Sequence, residues 1–143
     1  MIRFGVATDK MACIHLLRES HEAAGFGFAF KAAYAAALFD HHISTPQACM
    51  LVFEHNGEPQ GLLMATCFEH PFGAGRYAKE TVWYIAACAR GRAALQMLDA
   101  YEAWALEQNC TAIGMASLIS NDVAKLYERR GYAPIETHYL KSL

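Results

Sequence analysis

The stretch that decides the fold runs from Ile85 to Asn109 and reads IAACARGRAALQMLDAYEAWALEQN. It opens with the end of an apolar, β-prone run, Thr81 to Ile85, and then crosses a short turn. A run of strong helix formers follows from Ala93 to Gln108. The stretch therefore predicts a strand, a turn and a long helix. In this layout the first helical turn offers backbone N–H groups without partners, which favour an anion such as phosphate.

The turn carries one glycine between two arginines. Gly91 has no Cβ, so the backbone there can approach a ligand closely. Arg90 and Arg92 add forked positive donors that suit phosphate oxygens, and small Ala93 and Ala94 keep the first helical turn free of bulk. Neither a Gly-Lys-Ser/Thr loop nor a Gly-x-Gly-x-x-Gly fingerprint is present. We expect an anion-binding turn here, with a purely structural joint as the alternative.

Length and composition predict one globular domain over residues 1–143. Hydrophobic residues make up 55% and charged residues 18%, and the net charge of −2 argues against nucleic acid or an anionic membrane as a partner. The most apolar stretch, Ala23 to Phe39, contains Lys31 and is shorter than the roughly 20 apolar residues of a membrane span. The five cysteines are odd in number and form no C-x-x-C pair, so we expect a reducing, cytoplasmic location.

Hydrophobic periodicity and turn residues predict the order β-α-α-β-β-β-α-β-α-β. Asn56-Gly57 predicts a hairpin turn, and Gly131 predicts the left-handed end of a short helix. The middle strands favour antiparallel pairing, whereas the strand-helix-strand unit at 79–117 predicts a parallel crossover. The predicted strands are 2–7, 48–54, 60–69, 79–85, 111–117 and 132–141, and the later helices are 93–108 and 122–130. The fold class is α+β, a mixed sheet of about six or seven strands flanked on both faces by about four helices.

Two stretches resemble the GNAT superfamily of acetyl-CoA-dependent N-acetyltransferases. Tyr84 to Leu98 looks like the pyrophosphate loop of that family running into its helix. The stretch from Asn121 to Tyr132 is similar to a family signature that begins with Asn, continues through Leu-Tyr and ends in Gly followed by an aromatic residue. The order of elements matches over nearly the whole chain. The resemblance therefore implies a single GNAT-like domain.

The resemblance implies an enzyme that moves an acetyl group from acetyl-CoA directly to a primary amine, without a metal and without an acyl-enzyme. Acetyl-CoA would be the donor substrate, held by residues at the end of the strand, in the turn and near the last helix. Ile85 and Ala86 would contact the pantetheine arm, and Asn121 would contact that arm or the adenosine side. The pyrophosphate would lie on Arg90, Gly91, Arg92, Ala93 and Ala94.

Catalysis in this family needs an acid for the leaving thiolate and a base for the amine. The resemblance assigns the acid to Tyr127, whose phenol is protonated at pH 7; packing in the core is the alternative role. The position where the family often has a glutamate is Val82, which cannot act as a base. Glu80 lies two residues earlier and is expected to face the same side of the strand, so it is our candidate base. Glu69 and His70 are its rivals.

Several alternatives stay open. Ala89 falls where the family usually has Arg or Gln, and Arg92 falls where it has the central Gly. With Val82, these departures support the alternative of a domain of the same fold that has lost catalysis and binds CoA or a protein partner. A small α+β interaction protein is a third option. The acceptor is not identified by the sequence, and the apolar second helix and final strand leave a homodimer as an option. His41-His42 is interpreted as a pair of surface loop histidines rather than a metal site.

Overall fold

A computed structural model describes the whole chain, residues 1–143. The predicted α+β class and the four helices are confirmed, and two short 3-10 turns lie at Ala7–Asp9 and Ala87–Ala89. None of the helices combines the length and the hydropathy that crossing a membrane requires. The elements are β1 (Ile2–Phe4), α1 (Lys10–Ala24), α2 (Ala32–Ser44), β2 (Ala48–His55), β3 (Glu58–Glu69), β4 (Arg76–Ile85), α3 (Arg92–Glu107), β5 (Cys110–Gly114) and α4 (Ala124–Arg129).

The five strands form one mixed sheet in the order β1-β2-β3-β4-β5. The first four pair antiparallel with their neighbours in sequence, and β5 pairs parallel to β4. The antiparallel pairing predicted for the middle strands and the parallel strand-helix-strand unit are both confirmed. Parallel neighbours need a crossover, and α3 provides it between β4 and β5.

The predicted strand at residues 132–141 is wrong. The chain forms no helix or strand after Gly131, so the sheet has five strands rather than six or seven. Pro134 has no N–H to donate to a neighbouring strand. An alternating pattern supplies β-propensity, but a strand forms only where a neighbour pairs with it. Ile135, Tyr139 and Leu140 of this segment are exposed to solvent.

Helices cover both faces of the sheet and create two separate cores. We call the side covered by α3 the α3 face and the opposite side the α1/α2 face. Trp104 of α3 is 5% exposed and packs in the core of the α3 face. The α3 face includes Leu63, Ala65, Ala78, Ile85, Met97 and Tyr101. The α1/α2 face includes Cys13, Leu16, Phe39, Val52, Leu62 and Met64.

Two turns follow the predicted chemistry. Asn56 and Gly57, between β2 and β3, have φ angles of 52° and 81°, as the hairpin signal requires. Gly131 has a φ of 89° just after α4, which confirms the predicted left-handed helix end. These positions set the register of the central hairpin and direct the chain away from α4.

A partly buried ion cluster joins the first strand to the start of the first helix. The Arg3 guanidinium donates to both carboxylate oxygens of Asp9, at 2.8 and 2.9 Å, and to Glu54 of β2 at 2.6 Å. Asp9 also accepts the Val6 N–H at 2.9 Å. The hydrogen bonds from Arg3 are the largest cause that lowers the pKa of Asp9. The carboxylate form therefore stabilises the fold.

We predict that Asp9→Asn lowers the free energy of unfolding at pH 7 by about 2 kcal/mol, because it leaves Arg3 without its buried partner. Because the folded pKa of Asp9 is lowered, its contribution is present above the unfolded pKa. It is lost as the pH falls through the folded pKa. Urea unfolding at pH 7 and pH 3 should show a gap between variant and wild type that narrows at the lower pH.

The matched control is Asp40→Asn, which removes an exposed carboxylate paired with Lys10. It should change stability by less than about 0.5 kcal/mol, because exposed ion pairs contribute little. Equal losses for the two variants would show that the Arg3 cluster is no more stabilising than a surface pair.

Candidate active site

A gap opens in the sheet where β4 separates from β5. The two strands pair only from Arg76 to Lys79 of β4, opposite Cys110 to Gly114 of β5. β4 then continues to Ile85 with no strand on that side. At about 3.3 Å per residue, the unpaired edge from Glu80 onward is about 17 Å long. This edge exposes the backbone of an inner strand over a length that suits an extended ligand.

A β-bulge at Thr81 marks the start of the unpaired edge. Met64 of β3 pairs with Val82, and the next residue, Ala65, pairs with Glu80, so Thr81 is the extra residue. Ala65 belongs to the α3 face and Met64 to the α1/α2 face. Glu80 therefore lies on the α3 face and Val82 on the α1/α2 face. The expectation that these two residues share a face is wrong, because the bulge interrupts the alternation.

Glu80 and Tyr127 meet at a single peptide group on the α3 face. The Ala116 N–H donates to Glu80 Oε1 at 3.0 Å, and the Tyr127 hydroxyl donates to the Ala116 carbonyl oxygen at 2.7 Å. Ala116 lies just beyond the end of β5, on the far side of the gap from β4. Glu80 thus bridges the separated strands, and the two candidate catalytic residues predicted from the sequence lie in one hydrogen-bonded group.

The environment of Tyr127 keeps its phenol protonated. Its ring is buried, with centroids 6.1 Å from Trp83 and 5.7 Å from Tyr132. Burial, and after it the charge of Glu80, raises the pKa of Tyr127, and burial also raises the pKa of Glu80. The indole N–H of Trp83 is buried without an acceptor. A protonated phenol and an unpaired indole N–H therefore lie on the α3 face near the gap.

The turn before α3 presents a row of backbone N–H groups that have no acceptor within the protein. They belong to Arg90, Gly91, Arg92 and Ala93. The Ala94 N–H differs, because it donates to the Gly91 carbonyl oxygen at 3.0 Å. Free amides at the start of a long helix, where its dipole is positive, form an anion-binding arrangement. The predicted strand, turn and helix are thus present with the expected donors.

At the end of β4, the backbone groups of Ile85 and Ala86 that the sequence offered to a ligand already have hydrogen-bond partners within the protein. Arg90 Nε donates to the Ile85 carbonyl oxygen at 3.0 Å, and the Ala86 N–H donates to the Gln60 carbonyl oxygen at 2.8 Å. Arg90 therefore ties the turn to the strand. Arg92 is exposed and makes no hydrogen bond of this kind, so it is free to meet a ligand.

Asn121 does not cap the last helix. α4 begins only at Ala124, whose N–H donates to Asp122 Oδ1 at 2.9 Å. Ser117 Oγ accepts the Val123 N–H at 3.0 Å and donates to Asp122. The Asn121 side chain is exposed and makes no hydrogen bond, because the chain between β5 and α4 turns once more before the helix starts.

A family model described as the acetyltransferase (GNAT) family matches residues 11–132, which is most of the chain. The chain belongs to the GNAT acetyltransferase family. GNAT enzymes are acetyl-CoA-dependent N-acetyltransferases, so the class predicted for this protein is confirmed. No match was found among curated proteins.

Solved structures with the same fold cover nearly the whole GNAT chain. One, from Clostridium acetobutylicum, is described as a predicted acetyltransferase with acetyl-CoA; it is 16% identical with a TM-score of 0.82 over 99% of this chain and 95% of its own. A ribosomal-protein-alanine N-acetyltransferase from Brucella melitensis is 20% identical, with a TM-score of 0.76 over 100% and 99%. An aminoglycoside antibiotic 6'-N-acetyltransferase from Acinetobacter haemolyticus is 14% identical, with a TM-score of 0.76 over 100% and 97%. At these identities the likeness shows the fold alone.

The rival bases lie away from the gap of this GNAT fold. Glu69 pairs with Arg76, so it sits at the beginning of β4, where that strand is still paired with β5. His70 follows in the loop, where its Nδ1 accepts the Phe72 N–H at 3.1 Å and its ring lies 4.7 Å from Tyr77. The paired segment of β4 separates both residues from the unpaired edge.

Sequence reasoning missed a buried histidine that reaches the gap. The interpretation of His41-His42 as surface loop residues is wrong, because both lie on α2 and His42 is only 3% exposed. His42 Nε2 lies 3.0 Å from Thr81 Oγ1, at the bulge. The signal was the spacing of Ala35, Phe39 and His42, which places all three on one helix face. No group of three or more metal-ligating residues is present.

We predict that Gly91→Ala lowers the free energy of unfolding by about 1–3 kcal/mol, because Gly91 has a φ of 107° and a ψ of −117° that other residues rarely adopt. A Cβ there meets nothing within 4 Å, so the cost comes from the backbone alone. Gly27→Ala is the control, since that position is equally open but has no positive φ. Thermal unfolding should separate the two, and equal stability would show that the turn relaxes freely.

Proposed function

We propose that this GNAT enzyme transfers an acetyl group from acetyl-CoA directly to a primary amine. The observation that carries the proposal is the gap in the sheet: β4 loses β5 after Lys79 yet continues to Ile85, and free amides lie just beyond that end. An unpaired inner edge supplies backbone donors and acceptors for an extended amide-containing arm. The turn beyond it supplies an anion site for a pyrophosphate.

The proposed cofactor contacts follow that path. The pyrophosphate would lie on the amides of Arg90 to Ala93, with Arg92 as the free cation and Arg90 holding the turn in shape. Ala94 would contribute its small side chain, because its N–H is already bonded. The pantetheine arm would run along β4 past Ile85 and Ala86, and Asn121 would reach it with its unpaired amide.

Tyr127 is proposed as the acid for the leaving sulfur. A raised pKa ensures that the phenol carries its proton, but full transfer from it to a thiolate, whose ordinary pKa is about 8.5, is uphill. The phenol therefore acts mainly by donating a hydrogen bond to sulfur as negative charge develops there. To do so it gives up its bond to the Ala116 carbonyl oxygen.

The arrangement favours a positioning role for Glu80 rather than the base role expected from the sequence. Its carboxylate accepts the Ala116 N–H and so fixes the peptide that holds the Tyr127 hydroxyl. Glu80 also lies on the same face as the acid. An amine that attacks a thioester lying in the gap from the opposite face would not meet it.

The α1/α2 face offers a wall for the acceptor. Phe26 and Phe28, between α1 and α2, are partly exposed and stacked with centroids 5.3 Å apart. The Ser120 hydroxyl donates to the Ala24 carbonyl oxygen at 3.2 Å, so the segment after β5 reaches the end of α1. The neighbouring Ile119 is fully exposed. Aromatic and aliphatic surface beside the gap suits an amine carried on a partly apolar body.

Calorimetric titration with acetyl-CoA tests the cofactor site. We expect Arg90→Ala/Arg92→Ala to weaken binding at least about tenfold, because charge-assisted hydrogen bonds to phosphate are lost. Arg129→Ala is the control, since it removes an exposed arginine of α4 that makes no ion pair. Absence of acetyl-CoA binding to the wild type would instead favour a GNAT domain without catalysis. An equal loss of affinity in Arg129→Ala would show that the arginine substitutions act only through the net charge of the protein.

The rate of CoA release from acetyl-CoA in the presence of an amine acceptor tests the proposed acid role of Tyr127. The acceptors are kanamycin, spermidine, a peptide with an N-terminal alanine and a peptide with an internal lysine. We expect Tyr127→Phe to lower kcat by about tenfold to a hundredfold and to leave the Kd for acetyl-CoA within about twofold. Tyr139→Phe, at a phenol that is 93% exposed, should match the wild type. An unchanged kcat for Tyr127→Phe at every pH would remove the acid role.

A further inference from the structure

His42 is a buried histidine with both ring nitrogens engaged. It lies on the inner side of α2, and its Nδ1 is 2.8 Å from the Leu38 carbonyl oxygen. Its Nε2 is 3.0 Å from the Thr81 hydroxyl. Burial lowers the pKa of His42, so the ring is neutral at pH 7.

The partners of His42 determine which nitrogen carries the proton. A carbonyl oxygen can only accept, so Nδ1 must donate its proton to Leu38. In the neutral ring Nε2 is then an acceptor, and the Thr81 hydroxyl donates to it. The array of hydroxyl, imidazole and fixed carbonyl is the arrangement in which a histidine draws a proton from a hydroxyl.

Thr81 stands where an attacking amine would need a proton acceptor. It is the bulge residue at the start of the unpaired edge of β4, and it is exposed although its partner His42 is buried. Its contact with α2 places its side chain on the α1/α2 face, whereas Glu80 and Tyr127 lie on the α3 face. The two faces of the gap therefore carry different proton-handling groups.

We propose that Thr81 and His42 form the proton relay that removes the proton from the attacking amine. This inference rests on the proposed acetyl transfer and supplies the base that it lacks. Thr81 Oγ touches the nitrogen of the acceptor, and His42 acts through Thr81. Val82, beside them on the same face, offers no polar atom on its side chain and shapes the wall.

The step balances as follows. The amine nitrogen bonds to the acetyl carbonyl carbon, and the C–S bond breaks with its electron pair on sulfur. The nitrogen loses a proton to Thr81 Oγ while the Thr81 hydroxyl proton passes to His42 Nε2. Sulfur takes a proton from water while Tyr127 donates a hydrogen bond to it from the α3 face, and His42 returns its proton to water before the next turnover.

Few charges surround this relay. His41, on the same helix, lowers the pKa of His42 as a secondary cause, and its ring lies 5.4 Å away. α1 contributes the Cys13 thiol and the Lys10 ion pair with Asp40. The buried residues that β2 and β3 place on this face are uncharged. On β4, Tyr84 packs on this face and its hydroxyl donates to Glu19 of α1 at 3.2 Å, whereas Lys79 is exposed. No carboxylate holds the imidazolium, which favours rapid loss of the relayed proton.

CoA release under saturating acetyl-CoA tests the relay, with kanamycin, spermidine, an N-terminal alanine peptide and water alone as acceptors. Water serves as an acceptor that needs no recognition. We expect Thr81→Val to lower kcat by about a hundredfold and Thr81→Ser to stay within about threefold of wild type. Because burial lowers the pKa of His42, wild-type kcat should fall on the acidic side of the pH–rate profile as the pH drops through that lowered pKa. His42→Gln should lose this acidic limb together with most of the rate.

His41→Gln is the matched control, because it removes an exposed histidine of the same helix and should keep both rate and acidic limb. Glu80→Gln should also keep the limb. A wild-type kcat for Thr81→Val would overturn the relay. So would an acidic limb of the pH–rate profile that survives in His42→Gln, or one that disappears in Glu80→Gln. Acetyl-CoA titration of each variant should give the wild-type Kd. A wild type that binds no acetyl-CoA overturns the proposed function itself.

Discussion

A single extra residue in β4 controls which face of the sheet each side chain of the site occupies. Ala78 and Ile85 both pack on the α3 face although an odd number of positions separates them. Strict alternation would put them on opposite sides. The bulge at Thr81 resolves this conflict, and it also sends Glu80 to one face and Val82 to the other. The core on both sides of β4 and the site at its edge therefore depend on the same backbone irregularity.

Much of the fold could be predicted because its signals are local. The Asn56-Gly57 turn fixes its own φ angles, Gly131 fixes the end of a helix, and the run after Arg92 carries strong helix propensity. The anion-binding turn belongs to the same class, since unpaired amides are a property of any helix start. The parallel pairing of β4 and β5 then follows from the crossover that joins them.

What could not be predicted depends on neighbours distant in sequence. A bulge is a mismatch between two strands, so the sequence of β4 alone does not reveal it. The pattern at residues 132–141 has β-propensity but finds no partner strand. The cap of α4 comes from Asp122 and Ser117, because the chain after β5 folds back before the helix begins. In each case the local pattern was sound and the tertiary partner decided the outcome.

Adjacent histidines on α2 illustrate how helix geometry separates structural from chemical roles. Successive residues of a helix point about 100° apart, so His41 faces solvent while His42 joins the stripe of Ala35 and Phe39. A histidine buried only for packing would be replaced at no loss by an apolar residue of similar size, because a buried polar group costs free energy until it is paired.

His42 instead forms one hydrogen bond within its own helix, through Nδ1, and a second, through Nε2, with Thr81, which is an exposed residue of β4. The second hydrogen bond links a buried imidazole to an exposed hydroxyl at the edge of the gap, and a histidine that only packs in the core does not require such a link. The hydroxyl of Tyr127, the proposed acid on the opposite face, is likewise bonded to a backbone group beyond the gap. Both sets of polar bonds converge on the place where β4 and β5 part, and this convergence connects the architecture of the sheet to the chemistry of acetyl transfer.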